Sequence, residues 1–132
     1  QFEDIWCQPQ PMQGADLPLL FGLKMTAKNA EKIAQIGHGW IPIKTDAEFI
    51  STGKNLLDQA FKEHNRNEAP RIRGQLPTQI DSSGVPSLDL TLKELENSIA
   101  AGLTEVEIFP INFVRSKEDI VPVLKAISEI KG

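Results

Sequence analysis

An α/β fold of four consecutive strand–helix units is what the sequence predicts, and three observations carry the prediction. Residues 17–21 are too uniformly apolar to alternate and too short for a helix, which suits a strand covered on both faces in a helix-flanked parallel sheet. Later segments place apolar residues at three- and four-residue spacing behind Thr or Ser, the pattern of capped amphipathic helices. The two patterns alternate strictly to the C-terminal end, which implies parallel strands joined by right-handed crossovers.

The elements follow in order. Residues 1–16 hold Gln8-Pro9-Gln10-Pro11, where the prolines favour an extended lead-in loop, and domain organisation is read as this loop followed by one domain over 17–132. Gly22 turns the first strand into a helix at 26–36, with Ala27, Ala30, Ile33 and Ala34 on one face and Gly37 as its stop. The second strand covers 39–43. Thr45-Asp46-Ala47-Glu48 is a capping box, and Phe49, Ile50, Gly53, Leu56, Leu57, Ala60 and Phe61 continue at helical spacing to the polar run 64–68. Pro70 opens a third strand at 71–80, with Ile72, Gly74, Leu76 and Thr78 on one face. The turn-rich loop 81–86 precedes a second capping box at Thr91-Leu92-Lys93-Glu94, a helix through Leu95 and Ile99, and the terminator Gly102. The fourth strand is expected at 106–111. Ser116 starts the last helix, with Pro122 in its first turn and Ile120, Val121, Leu124, Ile127 and Ile130 as its buried stripe.

Composition sets the functional frame. The chain has 132 residues, 40% hydrophobic and 24% charged, with a net charge of −4, as expected of one soluble globular domain. Its 14 Lys and Arg are dispersed rather than gathered in a stripe, which argues against non-specific nucleic-acid binding. Apolar runs fall far short of the ~20 residues of a membrane span, and no basic start precedes an apolar core, so a cytoplasmic protein is expected. A single cysteine, Cys7, makes no intrachain disulfide and lacks metal-site spacing. No Ser-His-Asp set or Walker loop is present.

Chemistry in alternating α/β folds gathers at the C-terminal ends of the strands. The candidates there are Gly22, Leu23, Lys24 and Thr26 after the first strand, Lys44 after the second, Gln79 and Asp81 after the third, and Asn112 and Arg115 after the fourth. Backbone N–H groups at a helix start, with Lys24 beside them, form an anion site suited to a cofactor phosphate, and Thr26 is either a phosphate ligand or the helix N-cap. Lys44 and Arg115 are candidate anion or substrate contacts, or solvated charges. His38, between Gly37 and Gly39 at the entry to a strand, reads as structural, and Trp40 as core. Glu105 and Glu107, two apart, point to one face of the fourth strand.

The run from Pro18 to Gly22, the small-residue helix behind it, and Gly37-His38-Gly39-Trp40-Ile41-Pro42 together resemble a signature of the luciferase-like flavin monooxygenases, a family that includes coenzyme F420-dependent enzymes. The chain resembles the C-terminal half of that family, with Leu23 where a second glycine is usual and His38 where an Asp is usual. The resemblance implies a (β/α)8 barrel, here as four of its eight units, a flavin (FMN or F420) bound non-covalently with its phosphate at residues 22–26, a small organic substrate, and oxidoreductase chemistry. It also implies a chain that begins partway through a larger fold. A complete barrel takes about 250 residues. Four units alone would leave two strand edges unpaired and an apolar inner face wet, so three outcomes are open: a homodimer about a twofold axis, a small open sandwich, or a piece completed by a missing N-terminal half; the expected one is a homodimer of this piece, with a longer parent as its source. The rival functional reading is a non-catalytic half-barrel that folds by self-association.

Overall fold

The computed structural model describes residues 12–130. Most of the expected lead-in loop, with Cys7, lies outside the described residues; within it, Gly14–Asp16 form a short 3-10 turn rather than an extended path. The expected alternation is present. Strands β1 (Leu20–Gly22), β2 (Gly39–Ile41), β3 (Arg71–Gln75) and β4 (Glu105–Glu107) form one parallel sheet in the order β1-β2-β3-β4. Helix α1 (Ala27–Ile36) follows β1, α2 (Ala47–Glu63) follows β2, α3 (Leu88–Leu92) and α4 (Leu95–Ala101) follow β3, and α5 (Ile120–Ser128) follows β4.

The strands are shorter than the apolar runs that predict them. Leu17 and Leu19 are exposed and flank Pro18, which lacks a donor for a ladder, so β1 begins only at Leu20. Pro77 ends β3 early and Pro110 starts a 3-10 turn (Pro110–Phe113) where the fourth strand was expected to continue. Register explains the core. Phe21 pairs with Trp40 and Trp40 with Ile72, and these side chains point to the same face, where Ile33 of α1 and Ile50 and Leu57 of α2 bury them. Gly53 lets α2 ride directly on the indole, since a Cβ there would lie 2.4 Å from Trp40 ring atoms.

Local caps decide the helix starts. Asp46, rather than Thr45, caps α2, its carboxylate accepting from the Phe49 N–H at 2.8 Å. Thr91 is not a cap. Ser87 takes that place for α3, and Thr91 lies buried in the helix with its hydroxyl accepting from the Gln79 N–H at 2.9 Å. Gly102 closes α4 at φ 117°, a left-handed conformation that suits glycine. Ser116 opens a 3-10 turn (Lys117–Asp119) with a reciprocal capping box, and α5 starts only after it. Pro122, third residue of α5, sits where the helix needs no N–H.

Two expectations fail. The stripe of α5 is not buried: Ile120, Val121 and Leu124 are exposed, and the helix packs mainly on the two neighbouring 3-10 turns. The open face of the sheet is apolar only on its β1–β2 half, which carries Leu20 and Ile41. Residues alternate along each strand, so the face opposite Trp40 and Ile72 carries Arg71, Arg73 and Gln75 of β3 and Glu105 and Glu107 of β4. Among the described residues no helix is long and apolar enough to cross a membrane.

Candidate functional site

The turn after β1 is held from three sides. The buried Trp40 donates its indole N–H to the Leu23 carbonyl at 2.8 Å. Asn29 donates its amide to the Lys24 carbonyl at 2.9 Å, and Met25 is packed into the core. Both carbonyls are thereby engaged and offer little repulsion to an anion. Thr26 caps α1, its hydroxyl oxygen accepting from the Asn29 N–H at 3.2 Å, which leaves the hydroxyl hydrogen free to donate. The first turn of α1 contains no acid, while Lys24 and Lys28 stand exposed beside it. Gly22 is exposed, and a Cβ there would meet only the Ile41 Cβ at 4.0 Å, so the chain itself leaves room above the turn. These features fit a phosphate group: amide donors, a hydroxyl, a lysine and no competing carboxylate.

The remaining candidates separate. Lys44 turns toward Phe49, its ammonium 5.5 Å from the ring centre. At the mouths of β3 and β4, by contrast, Asn112 donates to the Thr78 hydroxyl at 3.2 Å. Gln79 beside them is anchored through Thr91 and donates its side-chain amide to the Pro77 carbonyl at 3.3 Å. Asp81 organises its own loop, accepting from the Ser83 hydroxyl at 2.6 Å, the Ser83 N–H at 2.8 Å and the Val85 N–H at 3.0 Å. The Ser83 hydroxyl chiefly, the two N–H groups, and more weakly the charge of Arg115 hold the Asp81 carboxyl below the usual aspartate range. Thr78, Gln79, Asp81, Asn112 and Arg115 thus gather at one edge of the sheet, and residues 22–26 lie at the other.

His38 is structural. Its Nδ1 accepts from the Leu19 N–H at 3.0 Å while the His38 backbone N–H donates to the Leu19 carbonyl at 2.8 Å, which ties the approach to β1 onto the start of β2. Arg66, which sequence reasoning passed over, donates to the Ala34 and Gly37 carbonyls at 2.8 and 3.1 Å and so closes the end of α1.

The cluster that sequence reasoning saw only in part is the charged face of β3 and β4. Arg71 donates to one oxygen of Glu105, and Arg73 donates to the other at 2.7 Å while lying 4.0 Å from Glu107. The Arg71 hydrogen bond first, with Arg73 adding to it against the cost of burial, holds the Glu105 carboxyl below the usual glutamate range. The spacing Arg71-x-Arg73 against Glu105-x-Glu107 was the available signal, since both pairs share a strand's period of two. A concavity of 180 Å³, lined by Phe21, Leu23, Asn29, Lys32, Ile33 and Ile36, lies between α1 and the free side of β1. Among the described residues no group of three or more His, Cys, Asp or Glu is placed to hold a metal ion.

No family model, curated protein or solved structure matches the chain.

Proposed function

We propose that the chain is the C-terminal portion of a cytoplasmic flavin-dependent oxidoreductase of the luciferase-like type, with residues 22–26 holding the phosphate of FMN or coenzyme F420. The observation that carries this reading is the β1–α1 turn: an acid-free helix start at the C-terminal end of a parallel strand, with Lys24 and Lys28 beside it and open space over Gly22. The motif resemblance falls on the same residues. When bound, the flavin supplies the hydride or oxygen chemistry. The chain's own groups would do the holding: the Ala27 and Lys28 N–H groups and the Thr26 hydroxyl would donate to the phosphate and Lys24 would add a point charge, while Trp40 keeps the turn in place through Leu23. Gln79, Asn112 and Arg115, at the mouths of β3 and β4 on the opposite edge of the sheet, would contact a small organic substrate only across the mouth of a completed barrel.

One observation favours the rival, a non-catalytic half-barrel. Leu23, where the family pattern has glycine, is half-buried with its side chain packed on the core, and so serves stability rather than close approach of a ligand. Fluorescence titration with FMN and with F420 decides between them. The flavin reading expects saturable binding, weakened about tenfold by Lys24→Ala, equivalent to about 1.4 kcal/mol, and weakened further by Gly22→Val, whose Cβ meets only the Ile41 Cβ at an ordinary 4.0 Å, with the circular dichroism spectrum unchanged. No saturation by either cofactor at high micromolar concentration overturns it.

A further inference from the structure

We propose that His38 is a proton-operated tether: its neutral imidazole ties the chain leading into β1 onto the start of β2, and uptake of a proton in mild acid, favoured by Glu68, breaks that tie and frees the segment. The inference stands on the fold alone and involves no cofactor.

Residues 17–19 have little else to hold them. Leu17, Pro18 and Leu19 are all exposed, so none of the three side chains is anchored in the core, and Pro18 has no N–H to give a ladder. Among the described residues, their backbone groups are bonded to His38 alone: the Leu19 N–H donates to the ring Nδ1 at 3.0 Å, and the Leu19 carbonyl accepts from the His38 backbone N–H at 2.8 Å. The second bond is indifferent to pH. The first is not, because a ring nitrogen that accepts carries no hydrogen, so the imidazole making this bond is neutral and has its hydrogen on Nε2. A protonated imidazole carries a hydrogen on both nitrogens. Two donors then face each other at Leu19, and the contact that held the segment becomes repulsive. Histidine is the side chain that changes charge between about pH 5 and 8, so the bond is present above that range and lost below it.

The surroundings of the ring supply an opposing pull. Residues 17–22 and the last turn of α1 carry no charge. The charged groups come instead from Arg66 and Glu68, between α2 and β3, and from Arg71 at the start of β3, whose backbone N–H donates to the His38 carbonyl at 2.9 Å. Arg71 is engaged with Glu105 on the open face. Arg66 is fixed by the Ala34 and Gly37 carbonyls, lies 4.8 Å from the centre of the Phe61 ring and pairs with Glu68. Glu68 therefore attracts an imidazolium that Arg66 repels. The attraction registers on Glu68 itself: the hydrogen bond from Arg66 first, and the charge of His38 last among the contributors, hold its carboxyl below the usual glutamate range. Leu19 holds the neutral ring and Glu68 favours the charged one, so the two oppose each other in a single titration.

Amide hydrogen exchange followed by NMR tests the tether, with rates expressed as protection factors so that the intrinsic pH dependence of exchange cancels. Protection of the Leu19 amide is expected to fall about fivefold between about pH 7.5 and pH 5.5, the worth of one ordinary hydrogen bond, while Leu57 inside α2 keeps its own. His38→Asn, whose side-chain oxygen accepts without titrating, should remove the fall; His64, at the end of α2, is common to both proteins and drops out of the comparison. Glu68→Gln should move the fall to lower pH. No fall in the wild type, or an equal fall in His38→Asn, overturns the proposal, and a fall that stays in place in Glu68→Gln overturns the part given to Glu68. The imidazole nitrogen shifts of the wild type give a check that needs no variant: a hydrogen on Nε2 is expected at neutral pH, and a ring carrying it on Nδ1 overturns the tether.

Discussion

The α1–α2 layer and α5 follow one sequence pattern and reach opposite states of burial. Helices α1 and α2 each bury a full stripe, Ala30, Ile33 and Ala34 on one and Ile50, Gly53, Leu57, Ala60 and Phe61 on the other, against Trp40 and Ile72. Helix α5 carries Ile120, Val121, Leu124 and Ile127 at the same spacing, yet none of its residues is buried. The difference lies in what each helix has beneath it. Strands β2 and β3 run under the first two, and α5 sits past the last strand on two short 3-10 turns. Periodicity states which face of a helix is apolar and leaves the partner to topology.

Substitutions probe that contrast directly. Trp40→Ala removes the largest fully buried side chain and should cost about 3–5 kcal/mol in denaturant unfolding. Next, Gly53→Ala, which drives a methyl against the indole, should cost about 1–3 kcal/mol. A cost near zero for either would show that the α1–α2 layer is packed no better than α5.

On the charged face, Glu105→Gln should cost about 1 kcal/mol near neutrality, a modest figure because both arginine partners are well exposed. The sign follows from linkage. Glu105 has a lowered pKa in the folded chain, so its stabilisation is present above the ordinary glutamate range and is lost as pH falls through the lowered value. Wild type and variant should therefore converge in acid; a gap that persists at low pH would mean the ion pairs are not its source. The smallest effect belongs to α5. Leu124→Ala should change stability by no more than about 0.5 kcal/mol, since the side chain is exposed. A loss comparable to that of Trp40→Ala in dilute solution would erase the contrast.

Much of the fold was legible because its signals are local. Thr26 caps α1, Gly37 ends it, and Gly102 closes α4 as expected, each through hydrogen bonds spanning only a few residues. Thr91 misled because its hydroxyl had two uses, a cap for the residues after it or an acceptor for Gln79 twelve residues before it, and the fold took the second. Of the site candidates, residues 22–26 kept their expected place on a strand-to-helix turn, while Lys44 was drawn off by the Phe49 ring two strands' width from the Asn112 cluster.

By itself the sequence determined the alternation of strand and helix, the apolar stripe on each helix, and the glycine turn with Lys24 at the start of α1, since all of these depend on spacing and on bonds between near neighbours. Tertiary structure alone decided which stripes are covered, that the β3–β4 half of the open face is charged, and that Arg71 and Arg73 meet Glu105 more than thirty residues away. Strand register does this: a shift of one residue between β3 and β4 would send Glu105 and Glu107 to the helix-covered face and Val106 to the open one.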